Sequence, residues 1–133
     1  LFGMGALEES MTVSVTSFGF KYGIPIEADL VFDVRFLPNP YYIAELRHQT
    51  GLDEGVYDFV FGYRQTTEFM NYLENLIGFL LPLYVAEGKA ALVIAVGCTG
   101  GQHRSVAITH ALAEFIKQKG YQATENHRDM TRA

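Results

Sequence analysis

Between Leu92 and Ile116 the chain reads LVIAVGCTGGQHRSVAITHALAEFI. An apolar run stops at Cys98, glycines stand at 97, 100 and 101, and Gln102, His103, Arg104 and Ser105 follow before a second apolar pattern begins. These residue types at this spacing can hold an anion. Gly97, Gly100 and Gly101 permit backbone angles that turn several N–H groups inward. A helix starting near His103 adds free N–H groups and the positive end of its dipole. Arg104 adds a planar fork that matches two phosphate oxygens, and Thr99 and Ser105 add hydroxyls. A thiol at the base of such a ring of donors is biased towards its thiolate. Phosphate is the anion this set fits best. The plain alternative is a structural strand-to-helix turn with Cys98 as a small buried residue. That alternative leaves Gln102, His103 and Arg104 in succession unexplained, because cations at a positive helix end cost stability unless an anion offsets them.

The same residues carry a second meaning. Cys98, Gly101, Arg104 and Ser105 form C-x2-G-x2-R-S, which resembles the phosphate loop of cysteine-dependent phosphatases. There a thiolate attacks phosphorus while the Arg and the loop amides hold the oxygens. Two departures stand against it: Gly97 replaces the usual His, and no Asp is placed by spacing as a general acid.

The elements that must position this loop follow from periodicity. Ala90–Val96 is a short continuous apolar run, the pattern of a strand buried on both faces. From Ser105 the period becomes helical, with Ile108, Ala111, Leu112, Phe115 and Ile116 on one face, Lys117 and Lys119 at the negative end and Gly120 as the cap. Upstream, TVSVTSFGF from Thr12 alternates as a strand. In DLVFDVRF, Asp29–Phe36, a second strand puts Leu30, Phe32, Val34 and Phe36 on one face and Val31, Asp33 and Arg35 on the other. Leu37–Pro40 reads as a turn, Tyr41–His48 as a short helix and Thr50–Gly55 as a loop. TTEFMNYLENLIGFLLPLY is an amphipathic helix with Thr66 as its N-cap, and Gly88 ends that region. A last strand covers Tyr121–Glu125. The order β-β-α-β-α-β predicts a single compact α/β domain: a mixed, partly parallel sheet flanked by helices, with a strand–glycine loop–helix cradle.

Composition bounds the rest. The chain has 133 residues, 49% apolar, with ten Phe, eight Tyr and no Trp, enough for one sizeable core. Residues 1–10, LFGMGALEES, show no period and read as a linker or foreign remnant. No unbroken apolar run approaches the roughly 18 residues of a membrane span, so no membrane association is expected. A single Cys excludes an internal disulfide and fits a reducing compartment, so a cytoplasmic location is expected. The net charge of −5 argues against a surface built wholly to grip nucleic acid, but leaves room for a local anion site. No His/Cys/Asp grouping has metal spacing, and neither a metal nor a cofactor is expected. Asp33 and Arg35 read either as a satisfied ion pair or as ligand contacts, with Asp33 accepting from hydroxyls. Lys21 reads equally as an exposed strand charge, His127 and Arg128 as surface or contact residues, and His48 and His110 as structural. The apolar stripe of Phe69–Leu81 reads as core or subunit interface.

Five blocks in order, SFGFKYGIP, ADLVFDVRFLPNP, TGLD, GCTGGQHRSV and HRD, closely resemble the C-terminal domain of the RapZ/YvcJ family, from about Met11 onwards. The likeness is to the Gram-positive branch. Full-length members carry an N-terminal P-loop domain that binds and hydrolyses ATP or GTP. This chain contains no G-x-x-x-x-G-K-[ST], so nucleotide hydrolysis is not assigned to its residues. In enterobacterial members the C-terminal domain binds small regulatory RNAs and glucosamine-6-phosphate, and it couples amino-sugar supply to control of an enzyme through an RNase. The resemblance implies a pocket of Cys98, Thr99, Gly100, His103 and Arg104 with Asp33 and Arg35. Gly101 and Ser105 complete the loop, and Tyr22 and Tyr41 stand where enterobacterial members carry His. The expectation is therefore a non-catalytic sensing and adapter domain for a phosphorylated amino sugar or nucleotide sugar. Small RNA, a regulatory protein and a second copy of the chain are its expected partners. A cysteine-dependent phosphatase and an RNA-binding module are the two alternatives.

Overall fold

The computed structural model describes residues 11–132, so the reading of residues 1–10 lies outside the described residues. Four strands and three α-helices follow in order: β1 (Thr12–Gly19), β2 (Leu30–Asp33), α1 (Glu54–Phe61), α2 (Arg64–Glu87), β3 (Ala91–Cys98), α3 (Arg104–Gln118) and β4 (Gln122–His127), with 3-10 turns at Phe20–Tyr22 and Pro40–Tyr42. The sheet order is β2-β3-β1-β4, and every pairing is parallel. The α/β architecture is as expected. The sheet is wholly rather than partly parallel because each connection is a crossover and none is a hairpin.

One face of the sheet carries the core. Met11, Val13 and Val15 join Leu92, Ile94, Val96 and Cys98, and Met70, Leu73, Ile77 and Leu81 of α2 and Ile108, Leu112 and Ile116 of α3 pack on them. The connections β2→β3 and β3→β4 advance the same way across the sheet, so right-handed crossovers put their helices on this one face. The β1→β2 connection runs the opposite way over β3, and the same rule sends it across the other face. Phe18 and Phe20 lie there, packed edge to face. The chain leaves β1 and its neighbour β3 towards opposite faces, and that divergence opens a crevice at their carboxyl ends.

Several local expectations are corrected. Tyr41–His48 is not a helix: Ile43, Leu46 and Gln49 amides bond three residues back, with Arg47 alone bonding four back. Asn39 Oδ1 accepts from the Tyr41 amide and starts a 3-10 turn at Pro40 instead. Helix α1 was expected as loop and unassigned chain; its aromatic-rich EGVYDFVF hides the fact that Val56 and Val60, four apart, are its buried residues. Helix α2 starts at Arg64, two residues before the expected cap, and leaves the Thr66 hydroxyl buried without a partner. It also continues through Pro82 to Gly88, whose left-handed φ of 92° closes it. By length and composition α2 is apolar enough to cross a membrane, with a mean hydropathy of 1.2 over its best window; its buried residues line the core of this domain. Strand β2 ends at Asp33 because the Asp33 carboxylate captures the Arg35 amide at 2.9 Å and turns the chain.

Candidate functional site

The loop after β3 is built on close backbone approaches. A Cβ on Gly19 would lie 2.6 Å from the Gly100 carbonyl carbon; Gly101, at φ 76°, would place one 2.5 Å from the Gly19 nitrogen. No other residue type fits these two positions without displacing backbone. The Lys21 amide donates to Thr99 O at 3.3 Å. On the far face a side chain at Gly97 would collide with the rings of Phe18 and Phe20, so the His of phosphatase loops has no room here. The TGLD block docks on the start of α3. Asp53 Oδ2 accepts from the Thr50 amide, Gly51 N donates to Gln102 O, and a Cβ on Gly51 would come within 2.3 Å of His103 O. The HRD block is an anchor. Asp129, fully buried, accepts from the Gly19 amide at 2.8 Å and from Arg128 Nε and Nη2, and Arg132 Nε approaches its other oxygen at 3.1 Å. Burial opposes its charge, but the Arg128 bonds and the Gly19 amide outweigh that and hold the carboxyl below its usual value.

Around this scaffold lies a cavity of about 340 Å³, lined by Lys21, Asn39, Tyr41, Tyr42, Cys98, Thr99, Gly100, Gln102, His103 and Arg104. The Cys98 thiol is buried at its floor and donates to Ser105 Oγ at 3.1 Å. The first backbone bond of α3 runs from Ala107 N to His103 O, so the amides of Arg104, Ser105 and Val106 stand at the free helix end.

Arg104 and His103 depart from the simple cradle. Arg104 is 5% exposed. Its Nη1 donates to Arg35 O at 2.7 Å and Leu37 O at 3.2 Å, clamping the segment after β2, while its Nε has no partner. Among the described residues no carboxylate forms an ion pair with it. His103 is buried, and that burial pushes its pKa below the ordinary value against the opposing pull of the Arg47 and Gln49 carbonyls; Nε2 sits 3.0 Å from Arg47 O. The helix-end cost expected of His103 is therefore relieved by neutralisation, without an anion. Arg104 has no ion-paired carboxylate among the described residues, and it acts on the Asp33 carboxylate only through space.

The expected site residues divide. Cys98, Thr99, Gly100, His103, Arg104 and Tyr41 line the cavity; Gly101 and Ser105 support it from behind. Asp33 and Arg35 do not line it. They form an exposed fork-to-fork pair, 2.6 Å at its shortest, whose Arg35 bonds hold the Asp33 carboxyl below its usual range, and Arg35 also lies over the Phe20 ring. Tyr22 is packed by Arg132, 4.6 Å from its ring centre, outside the lining. Asn39 and Tyr42 are lining residues that the sequence did not single out, the turn signal of LPNP being the only hint; Gln102, noted in the sequence only as part of the run with His103 and Arg104, also lines it. Gln102 Nε2 is tied to Arg132 O. His127 is not a surface residue: it bridges Ser17 Oγ, at 2.8 Å, and Glu125, at 2.7 Å, and Glu125 also holds His110. Arg128 is fixed to Asp129 and Gly23 O. No group of three or more His, Cys, Asp or Glu residues suited to a metal occurs among the described residues.

Fold and site together define a parallel α/β domain with a glycine-rich strand-to-helix loop lining a cavity at its topological switch point. The model of the RapZ C-terminal domain matches residues 11–131, and the chain belongs to that family. A nucleotide-binding protein of Clostridium novyi is 52% identical over 124 residues, 93% of this chain and 42% of its own length. Nucleotide-binding proteins of Caldanaerobacter subterraneus and Caldicellulosiruptor saccharolyticus are 55% and 54% identical over 98% of this chain, and 46% and 44% of their own lengths. The chain thus spans less than half the length of these curated relatives.

Proposed function

We propose that this domain is a cytoplasmic sensing module that binds a phosphorylated amino sugar or nucleotide sugar without converting it, and reports its presence to a macromolecular partner. The observation that carries the reading is Arg104: a buried guanidinium with an unpartnered Nε and no ion-paired carboxylate, at a helix N-terminus, lining a cavity large enough for a sugar phosphate. A buried charge is tolerated when a partner compensates it, and a phosphate supplies that partner. Tyr41 and Tyr42, both exposed at the mouth, offer ring faces to the apolar face of a sugar, and Lys21 and Asn39 offer polar groups to its hydroxyls. The relatives' names as nucleotide-binding proteins fit a phosphate-bearing ligand, although more than half of each relative lies outside the matched region. Calorimetric titration tests the reading. Glucosamine-6-phosphate should bind more tightly than inorganic phosphate, and glucosamine should bind least. Failure of both phosphate compounds to bind would overturn it.

The phosphatase reading has one observation in its favour, the 3.1 Å Cys98–Ser105 contact that would steady a thiolate. Ester cleavage also needs an acid to protonate the leaving oxygen, and no Asp or Glu lines the cavity. The expected outcome is no multiple-turnover phosphate release from aryl or sugar phosphates. Cys98→Ser should keep sugar-phosphate binding within about tenfold, ~1.4 kcal/mol. Steady release that vanishes in Cys98→Ser would establish the enzyme.

A further inference from the structure

The chain carries 15 acidic and 10 basic residues, yet inside the cavity that balance is reversed. Lys21 and Arg104 line it, and no Asp or Glu does. Neither cation has an ion-paired carboxylate among the described residues. Burial pushes His103 towards its neutral form, so it adds no negative counterpart and little charge of its own. The acids of the neighbouring blocks are committed elsewhere. Asp33 is closed in its fork with Arg35, Asp53 accepts from the Thr50 amide, and Asp129 is held between Arg128 and Arg132. Arg47 lies over the Tyr41 ring, 5.0 Å from its centre, so this aromatic lining residue already has a cation on it. Asn39 is the informative position. Its Oδ1 accepts from the Tyr41 amide at 3.0 Å and starts the 3-10 turn at Pro40. Asp caps such a turn as well as Asn does, so the fold would accept a carboxylate here. The amide at residue 39 is what keeps the cavity free of acid.

We propose that the cavity selects a phosphorylated sugar that carries no ammonium group, an N-acylated or plain hydroxyl sugar rather than a free amine, and that Asn39 sets this preference. The inference rests on the reading of the cavity as a sugar-phosphate site and narrows it. A phosphate ester carries about two negative charges near neutrality, and Arg104 and Lys21 together balance them. An ammonium on the same ligand would find no carboxylate and would stand in the field of both cations, where an uncompensated charge is costly. An N-acyl group or a hydroxyl brings no charge. With Asn39 Oδ1 committed to the Tyr41 amide, Nδ2 is the group left for the ligand. It is a donor, which suits an acyl carbonyl or a hydroxyl oxygen and cannot pair with an ammonium, itself a donor only.

Calorimetric titration of the 133-residue chain near neutrality, with glucosamine-6-phosphate, N-acetylglucosamine-6-phosphate, glucose-6-phosphate and inorganic phosphate, tests the proposal. The tighter of the two uncharged sugars should bind at least about tenfold more tightly than the amine. Asn39→Asp keeps the cap and adds one carboxylate. Its far-UV spectrum should be unchanged, and the ratio of affinities should move at least about tenfold towards glucosamine-6-phosphate. An amine that binds the wild-type chain as tightly as either uncharged sugar, or more tightly, would overturn the selectivity while leaving the cavity a sugar-phosphate site. An unchanged ratio in folded Asn39→Asp would overturn the role of Asn39. No binding of any of the four phosphate compounds would overturn the sugar-phosphate reading itself, and the selectivity with it.

Discussion

Arg104 has two duties, and a single substitution separates them. In Arg104→Ala the carbonyls of Arg35 and Leu37 lose a donor at 2.7 and 3.2 Å. An acceptor stranded in a buried setting costs about 1–3 kcal/mol, and the Arg35 carbonyl is only partly buried, so the folded state should lose about 2–4 kcal/mol in all. Ligand affinity should fall independently. A charged hydrogen bond to phosphate contributes about 1.5–3 kcal/mol, so Kd should rise about 10- to 150-fold. Arg104→Lys keeps the charge but has neither the fork nor the second nitrogen that reaches the carbonyls, and it should recover little of either loss. Urea unfolding measures the first effect. Calorimetry with glucosamine-6-phosphate and with inorganic phosphate, under conditions where unfolding curves show the variant folded, measures the second. Both ligands should weaken by similar factors, because both present the same group. A folded Arg104→Ala protein with wild-type affinity for both would refute the reasoning. A loss of stability without a loss of affinity would leave Arg104 as a clamp on the segment after β2 and nothing more.

Further outcomes follow from the packing around the loop. Gly51→Ala puts a methyl 2.3 Å from His103 O and 2.6 Å from Ala107 N; it should destabilise by about 1–3 kcal/mol and weaken phosphate binding, both readable by thermal unfolding and titration. Asp129 has a depressed pKa, so its contribution to stability is present above the ordinary value of 3.8 and is lost as pH falls through the lower folded value. Asp129→Ala should cost on the order of 3 kcal/mol near neutrality and flatten the acid limb of a stability-against-pH curve; an unchanged limb would show the anchor does not titrate. RNA retention by this acidic chain should be weak and should drop steeply with added salt, whereas tight sequence-selective retention near physiological salt, seen in filter binding, would favour the RNA-binding reading.

The readable part of this protein is the part whose physics is local. The continuous apolar run before Cys98, the glycines after it and the helical period from Ser105 each state a backbone preference within a few residues, so β3, the loop and α3 were all legible as a strand, a glycine turn and a helix. The blocks also marked which residues would meet: Gly19, Gly51 and Asp129 are packed against, or bonded to, the loop or the strand end beside it, and the carbonyls of Arg35 and Leu37 accept from Arg104. Helix α1 and the turns of residues 40–49 were not legible, because short aromatic-rich segments satisfy helix, strand and turn patterns alike, and the Asn39 cap and the docking of Gly51 on α3 decide between them. Above all, the division between Arg104 and Asp33–Arg35 belongs to the tertiary structure. By type all three are ligand candidates. The ionic fork at Asp33 and Arg35 closes on itself in solvent, whereas the chain that leaves β2 brings the carbonyls of residues 35 and 37 onto Arg104 and buries it with no ion-paired carboxylate. Charge is written in the sequence; whether that charge is compensated depends on which backbone folds over it.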